Sequence, residues 1–392
     1  MDRLAERIRK LPRYLFAEID KKVKIARDKG VDVISLGIGD PDSPTPDYII
    51  KRIQEEVAKP VNHSYPPDEG MAEFREAVAA YYLRRHGVEL DPQHEIVPLI
   101  GSKEGIAHIA FCFTDPGDVN LVPDPGYPVY SIGTLFAGGL PQLMPLLQEN
   151  NFIPDLNNIP VEAARRAKLL YLNYPNNPTG AVASREFISE AVQYARDYNL
   201  IICHDAAYSE IAFDDYRPIS FLEVEGGKDV AIEFGSLSKT FNMTGWRLGY
   251  AVGNRTAVEA LYRFKTNVDS GVFKAVQQAG VEALTNPQME PFIDGLRALY
   301  QRRRDIAVQG LNEAGWDLRP SRGTFYLWAP VPEGYSSTDF VSMILEQTGV
   351  VLTPGRGFGK YGEGYFRIAL TVGEQRLQEA MQRIKDTVKF GK

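Results

Sequence analysis

The stretch SLSKTFNMTGWRLGY (236–250) sets one lysine, Lys239, among hydroxyls and places Arg247 eight positions after it. A lysine amine can form an imine with a carbonyl compound once it has lost its proton, and apolar or cationic surroundings favour that loss. The hydroxyls of Ser236, Ser238 and Thr240 and the guanidinium of Arg247 suit a phosphate, because the fixed donor fork of arginine matches its oxygens. Asp205 ends the apolar run of IICHDAAY, where its carboxylate should be half buried. Burial raises a carboxyl pKa, so an ionised Asp there wants a cationic partner. It could cap the segment that follows, or hold a proton on the nitrogen of a bound ring.

Four further stretches carry chemistry of the same kind. GSKEG (101–105) follows an apolar run and opens a helical pattern. The unpaired N–H groups of a helix start, with Ser102, make a phosphate site, although a serine there also serves as a plain cap. The GxxxxGK[ST] spacing of a Walker loop is absent. NYPNNPTG (173–180) reads as a rigid surface turn, or as a turn that lets Asn177 donate to an oxygen on a bound ring. Tyr127, in DPGYPVY, is either a flat wall for stacking or a core aromatic. Arg367 stands alone in the apolar YFRIAL, where a guanidinium needs an anion, and a substrate carboxylate would serve. Gly357, Gly359 and Gly362 in GFGKYG match GxGxxG, but a strand pattern follows where that fingerprint must open a helix. They read as a flexible loop ahead of Arg367.

The elements that must position these residues are short apolar runs alternating with helical patterns. EIVPLI (95–100), VNLVP (119–123), KLLYLNY (168–174), LIICHD (200–205) and VAIEFG (230–235) read as strands covered on both faces. SREFISEAVQYARDY (184–198) has apolar positions at 187, 188, 191, 192 and 195, one face of a helix. The order predicts an α/β unit with a mostly parallel sheet, which places ligands at the C-terminal ends of its strands. Ser102 with Lys103, Tyr127, Asn177, Asp205 with Tyr208, and Ser236 with Lys239 follow five such strand ends. After about residue 290, TFYLWAPV, VVLTP and YFRIAL alternate with helical patterns, predicting a smaller α+β domain onto which the N-terminal 45 residues pack.

With 392 residues, 44% of them hydrophobic, the chain can bury a large core and form two domains. Acidic residues number 51 against 44 basic ones, so no broad basic surface awaits nucleic acid. Cys112 and Cys203 lie in apolar surroundings and read as buried thiols of a reducing compartment, without metal-ligand spacing. The charged start MDRLAERIRKLP lacks the apolar core of a secretory signal, and no apolar run reaches the roughly 18 residues of a membrane span. A cytoplasmic protein is expected.

SLSKTFNMTGWRLGY, with NNPTG and DAAY upstream, resembles the fold-type I aminotransferases of class I/II, which use pyridoxal 5′-phosphate, and the resemblance spans essentially the whole chain. It implies a large α/β domain, residues 48–290, around a mostly parallel seven-stranded sheet, and a smaller α+β domain from residues 1–47 and 291–392. By the same resemblance Lys239 joins the cofactor as an imine and then carries the proton of the substrate α-carbon. Asp205 pairs with the ring nitrogen, and Asn177 and Tyr208 reach the ring hydroxyl. Ser102, Ser236 and Arg247 hold the phosphate with Lys103 nearby, Tyr127 stacks on the ring where some relatives carry Trp or Phe, and Arg367 clamps the substrate carboxylate. An amino acid and a 2-oxo acid bind in turn, in ping-pong fashion. The family also implies a homodimer with shared active sites. Tyr65 would reach the partner chain's phosphate, and Gly39 would let the N-terminal segment close over substrate.

The opening, LPRYLFAEI above all, resembles the LL-diaminopimelate aminotransferase branch, whose members convert LL-diaminopimelate and 2-oxoglutarate into tetrahydrodipicolinate and glutamate. Such a substrate needs polar partners at its distal end, for which Glu69, Lys103 and Arg322 are candidates. Branches acting on aspartate, alanine or aromatic amino acids share the core motifs, and a C–S lyase or a non-catalytic pyridoxal-binding homologue is the remaining alternative. An inert homologue would have lost one of Lys239, Asp205 or Arg367, and all three are present.

Overall fold

The computed structural model describes residues 3–9, 11 and 15–388, with the side chains of 15–20 excepted. Most of the LPRYLFAEI stretch lies outside the described side chains. The apolar runs become strands β1 (Ile96–Leu99), β2 (Val119–Asp124), β4 (Ala167–Leu172), β5 (Ile201–Asp205) and β6 (Ala231–Ser236). Two further strands, β3 (Leu140–Pro145) and β7 (Gly249–Gly253), complete a seven-stranded sheet of order β1-β7-β6-β5-β4-β2-β3. Strand alternation sends Leu170 and Leu172 into one hydrophobic cluster and Leu169 and Tyr171 into another, so both faces of the sheet are buried.

Only β7 runs against its sheet neighbours; every other pairing that does not involve it is parallel. Leu99 at the end of β1 and Ser236 at the end of β6 both align with Gly249 at the start of β7. One edge of the sheet therefore gathers the C-terminal ends of the parallel strands and the residues that lead into β7, Arg247 among them. Helix Arg185–Tyr198 packs on this sheet with the spacing the sequence shows. The Ser184 side chain accepts the Phe187 N–H, Asn199 closes the helix in the left-handed region, and Phe187, Ile188, Ala191, Val192 and Ala195 are buried.

A separate core joins Ile34 and Leu36 to residues between Leu296 and Val388, and takes in Tyr208, Ile211 and Phe213. It covers an antiparallel sheet of order β9-β10-β8, formed by β8 (Tyr326–Pro330), β9 (Thr353–Pro354) and β10 (Tyr365–Ala369). Ile34–Ser35 pairs in parallel with Val350–Val351, which is how the N-terminal segment packs onto this part. No described helix is long and apolar enough to cross a membrane.

Three local expectations change. NYPNNPTG is a buried turn throughout, not a surface one. Of the GFGKYG glycines, Gly357 and Gly362 lie in two short 3-10 turns, Gly355–Phe358 and Lys360–Gly362, and Gly359 joins them; the segment is anchored to β2 rather than loose. Cys203 is buried, but Cys112 is half-buried, with its thiol directed at the His108 carbonyl 3.5 Å away.

Candidate active site

The end of β6 aims Lys239. Ser236 accepts the Ser238 N–H at 3.2 Å and so caps the single helical turn Leu237–Thr240 that carries the lysine. The amine donates to the Gly39 carbonyl at 2.8 Å and lies 5.7 Å from the centre of the Phe325 ring. Burial pushes its pKa down to about 8; the charge of Asp40 opposes this, while Arg367 and Arg247 reinforce it. A neutral amine is thus within reach near physiological pH.

Asp205, expected to be half buried, is only 6% exposed. Its carboxylate accepts the Tyr130 hydroxyl at 2.8 Å and the Ala207 N–H at 3.4 Å, and no lysine or arginine pairs with it among the described residues. Burial raises its pKa, against the Tyr130 bond and the charge of His204. His204 projects to the other face of β5, with one ring nitrogen 2.7 Å from Glu233 Oε1 and the other 3.0 Å from the Tyr174 carbonyl. Despite burial, hydrogen bonding and charge from His204 hold Glu233 below the usual carboxylate range.

Arg367, 4% exposed, is a buried cation with neutral partners. It donates to Asn177 Oδ1 and to the Gly37 carbonyl, each at 2.8 Å, while its Nε has no hydrogen-bond partner among the described residues. The rings of Tyr326 and Phe358 lie 4.1 and 4.7 Å from its Cζ. Tyr326 also reaches Tyr208, hydroxyl to hydroxyl, at 3.2 Å. Gly39 touches the same tyrosine: a Cβ there would fall 1.8 Å from the Tyr326 hydroxyl oxygen.

On the β1 side, Arg247 (φ +56°) follows the turn Thr244–Trp246 and donates to the Thr244 carbonyl at 2.8 Å. Its guanidinium lies against Gly101 (φ +74°), where a Cβ would come 2.1 Å from Nη2. Gly101 immediately precedes helix Ser102–Phe113, so Arg247 and the unpaired N–H groups of that helix stand side by side. Lys103 is exposed and sits 5.7 Å from the ring centre of the half-buried Tyr127, which packs edge-on against Tyr130.

Contacts therefore join Lys239, Gly39, Tyr326, Tyr208, Arg367 and Asn177, and link Asp205 through Tyr130 to Tyr127 and Lys103. Among the described residues they do not reach Tyr65, which is 81% exposed, or the exposed Glu69. Arg322 lies over the Tyr216 ring, 4.9 Å away, and shows no contact with these groups among the described residues. Sequence reasoning missed Tyr130, Tyr326 and Asn173. Asn173 donates to the Asp205 carbonyl at 2.7 Å and accepts the Asn177 N–H at 2.8 Å, fixing one strand end against the next. Tyr130 and Asn173 lie in stretches already singled out; Tyr326 showed only a strand pattern.

The donor set matches one kind of molecule. A phosphate suits Arg247 and the helix start, a protonated ring nitrogen suits Asp205, which no lysine or arginine pairs with among the described residues, and a carbonyl suits Lys239. A carboxylate suits Arg367 and its unpartnered Nε.

Residues 31–384 match the family described as aminotransferase class I and II. The LL-diaminopimelate aminotransferases of Moorella thermoacetica and Desulforudis audaxviator are each 60% identical over 384 residues, covering 97% of this chain and 97% of theirs. Among solved structures, apo-BacF from Bacillus subtilis is 39% identical with a TM-score of 0.95, covering 100% of both chains.

Proposed function

We propose a substrate from the premise that this chain belongs to the class I and II aminotransferases: it moves an amino group from LL-diaminopimelate to 2-oxoglutarate, leaving tetrahydrodipicolinate and glutamate. Two relatives of that name, 60% identical over nearly their whole length, support the substrate. The observation that carries the chemistry is a half-buried lysine with its pKa pushed down to about 8, close to an arginine that has no carboxylate partner among the described residues.

The chain is an aminotransferase dependent on pyridoxal 5′-phosphate. When bound, that cofactor supplies the carbonyl that takes up the amino group and a ring that spreads the negative charge of the substrate α-carbon. In our reading Ser102, Ser236 and Arg247, with Lys103 nearby, bind its phosphate, and Tyr127 covers its ring. Asp205 keeps a proton on the ring nitrogen, held in place by Tyr130, while Asn177 and Tyr208 face the ring hydroxyl. Lys239 anchors the carbonyl and acts as general base at the substrate α-carbon, giving the proton back when the 2-oxo acid is aminated there. Arg367 takes the α-carboxylate, and Gly39 lets the N-terminal segment lie close over Lys239. Amino acid and 2-oxo acid use this site in turn.

The same reading divides the chain into a large domain, 48–290, and a small domain from 1–47 and 291–392, supported by the separate core around Ile34, Leu36 and the C-terminal strands. It also makes the enzyme a homodimer in which Tyr65 serves the partner's site, which accords with an 81% exposed tyrosine. The free thiols Cys112 and Cys203 suit a cytoplasmic setting.

Steady-state kinetics with different donors test the substrate. LL-diaminopimelate should exceed aspartate, alanine and phenylalanine in kcat/KM by at least about tenfold. Equal or better rates with any of those three would refute the assignment and leave the transamination chemistry standing.

A further inference from the structure

Asp124 ends β2, only 4% exposed, three residues before Tyr127. Its carboxylate pairs with no lysine or arginine among the described residues. Instead Oδ2 accepts the Lys360 N–H at 3.1 Å and Oδ1 the Tyr361 N–H at 3.0 Å. Those amides open the turn Lys360–Gly362, which has no side-chain cap from its own preceding residue, so Asp124 caps it from a distant part of the chain. Gly359 makes the approach possible: its φ is +137°, and a Cβ would fall 2.0 Å from Asp124 Oδ1. A third bond, from the Gly126 N–H to the Phe358 carbonyl at 2.9 Å, closes the same contact. Phe358 is the residue whose ring flanks Arg367 at 4.7 Å.

We propose that Asp124 is a positioning residue for the substrate carboxylate. It pins the 358–361 segment to the 124–127 turn, and so sets the spacing between the ring wall at Tyr127 and the guanidinium of Arg367. This rests on the roles given above to those two residues. An aspartate serves here because a carboxylate accepts two diverging N–H groups at once, and a buried one left without donors is costly. Alanine at 124 leaves both amides unpaired. A methyl group at 359 would push the carboxylate away from the same two amides. Asparagine at 124 keeps the shape and one good acceptor.

The test compares Asp124→Ala, Gly359→Ala and Asp124→Asn with the parent holoenzyme, with Arg367→Ala as control. In hydrogen–deuterium exchange on the cofactor-free proteins, both alanine variants should exchange faster over 358–361. Their KM for amino donor and for 2-oxo acid should rise together by about tenfold, with kcat changed less than about threefold. Affinity for pyridoxal 5′-phosphate should hold, and asparagine should recover most of the loss. Faster exchange with unchanged KM would overturn the proposal, as would unchanged exchange in both alanine variants. A KM unmoved in Arg367→Ala would sink the carboxylate assignment itself, whereas a raised KM there beside a normal one in the Asp124 and Gly359 variants would sink only the positioning role. If Asp124→Ala fails to fold, Gly359→Ala and Asp124→Asn carry the same comparison.

Discussion

A lysine attacks a carbonyl only after it sheds its proton, and Lys239 sheds it early because partial burial disfavours its charged form and two arginines lie near. The rate at which cofactor-free protein captures pyridoxal 5′-phosphate should therefore climb with pH to a midpoint near 8, where an exposed lysine would titrate above 10. Asp40→Asn should move that midpoint lower, since Asp40 is the charge that keeps the proton on; a midpoint moved upward would contradict the electrostatic account. Lys239→Ala should retain some cofactor and lose transamination by at least about a thousandfold, because the anchor and the base are one group. Asp205 and Arg367 were legible in the sequence because each is a charged residue at or within an apolar strand, where its presence needs a reason, and Lys239 because hydroxyls and an arginine surround it. Tyr130 was not, because a tyrosine in an apolar helix looks like core until its hydroxyl is seen 2.8 Å from Asp205.

Strands carry these residues to one edge, and the turns after them set the aim. Gly101→Ala tests the turn after β1: the added methyl would displace the Arg247 guanidinium and strain a positive φ. Cofactor affinity should weaken by about 1–3 kcal/mol, read by equilibrium dialysis. Ser184→Ala removes the cap of helix Arg185–Tyr198 far from these contacts and should cost about 1 kcal/mol in urea unfolding with kcat unchanged. The parallel strands were readable because burial on both faces leaves unbroken apolar runs. β3 and β7 were not: LPQLMP is a half-exposed edge strand with two prolines, and GYAVG opens and closes on glycine. Gly249 is nonetheless required there, since a Cβ would come 2.7 Å from the Ser102 amide nitrogen. The 355–362 loop escaped for a related reason, because its anchor, Asp124, lies far away in sequence.

At the scale of the molecule, the cores on the large sheet and the separate C-terminal core meet around the candidate site, the sheet edge supplying Lys239 and Asp205 and the C-terminal strands Arg367 and Tyr326. The C-terminal strands followed from pattern, and the packing of the N-terminal segment from its being too short to fold alone; which side chains meet across the cores did not, since that depends on tertiary approach. A shared-site dimer makes its own prediction. Lys239→Ala and Tyr65→Ala chains, mixed and reassembled, should yield hybrids with about half their sites intact and regain activity that neither variant has alone. Additive residual activity, with no gain on mixing, would remove Tyr65 from the partner's site. The central claim is most directly tested by one half-reaction: cofactor-loaded protein mixed with LL-diaminopimelate, without any 2-oxo acid, and followed by absorbance in a single turnover. Rapid loss of the cofactor's visible band, its recovery on adding 2-oxoglutarate, and neither change in Lys239→Ala are the expected results. A band unmoved by LL-diaminopimelate, or a Lys239→Ala protein that turns over like the parent, would contradict the account.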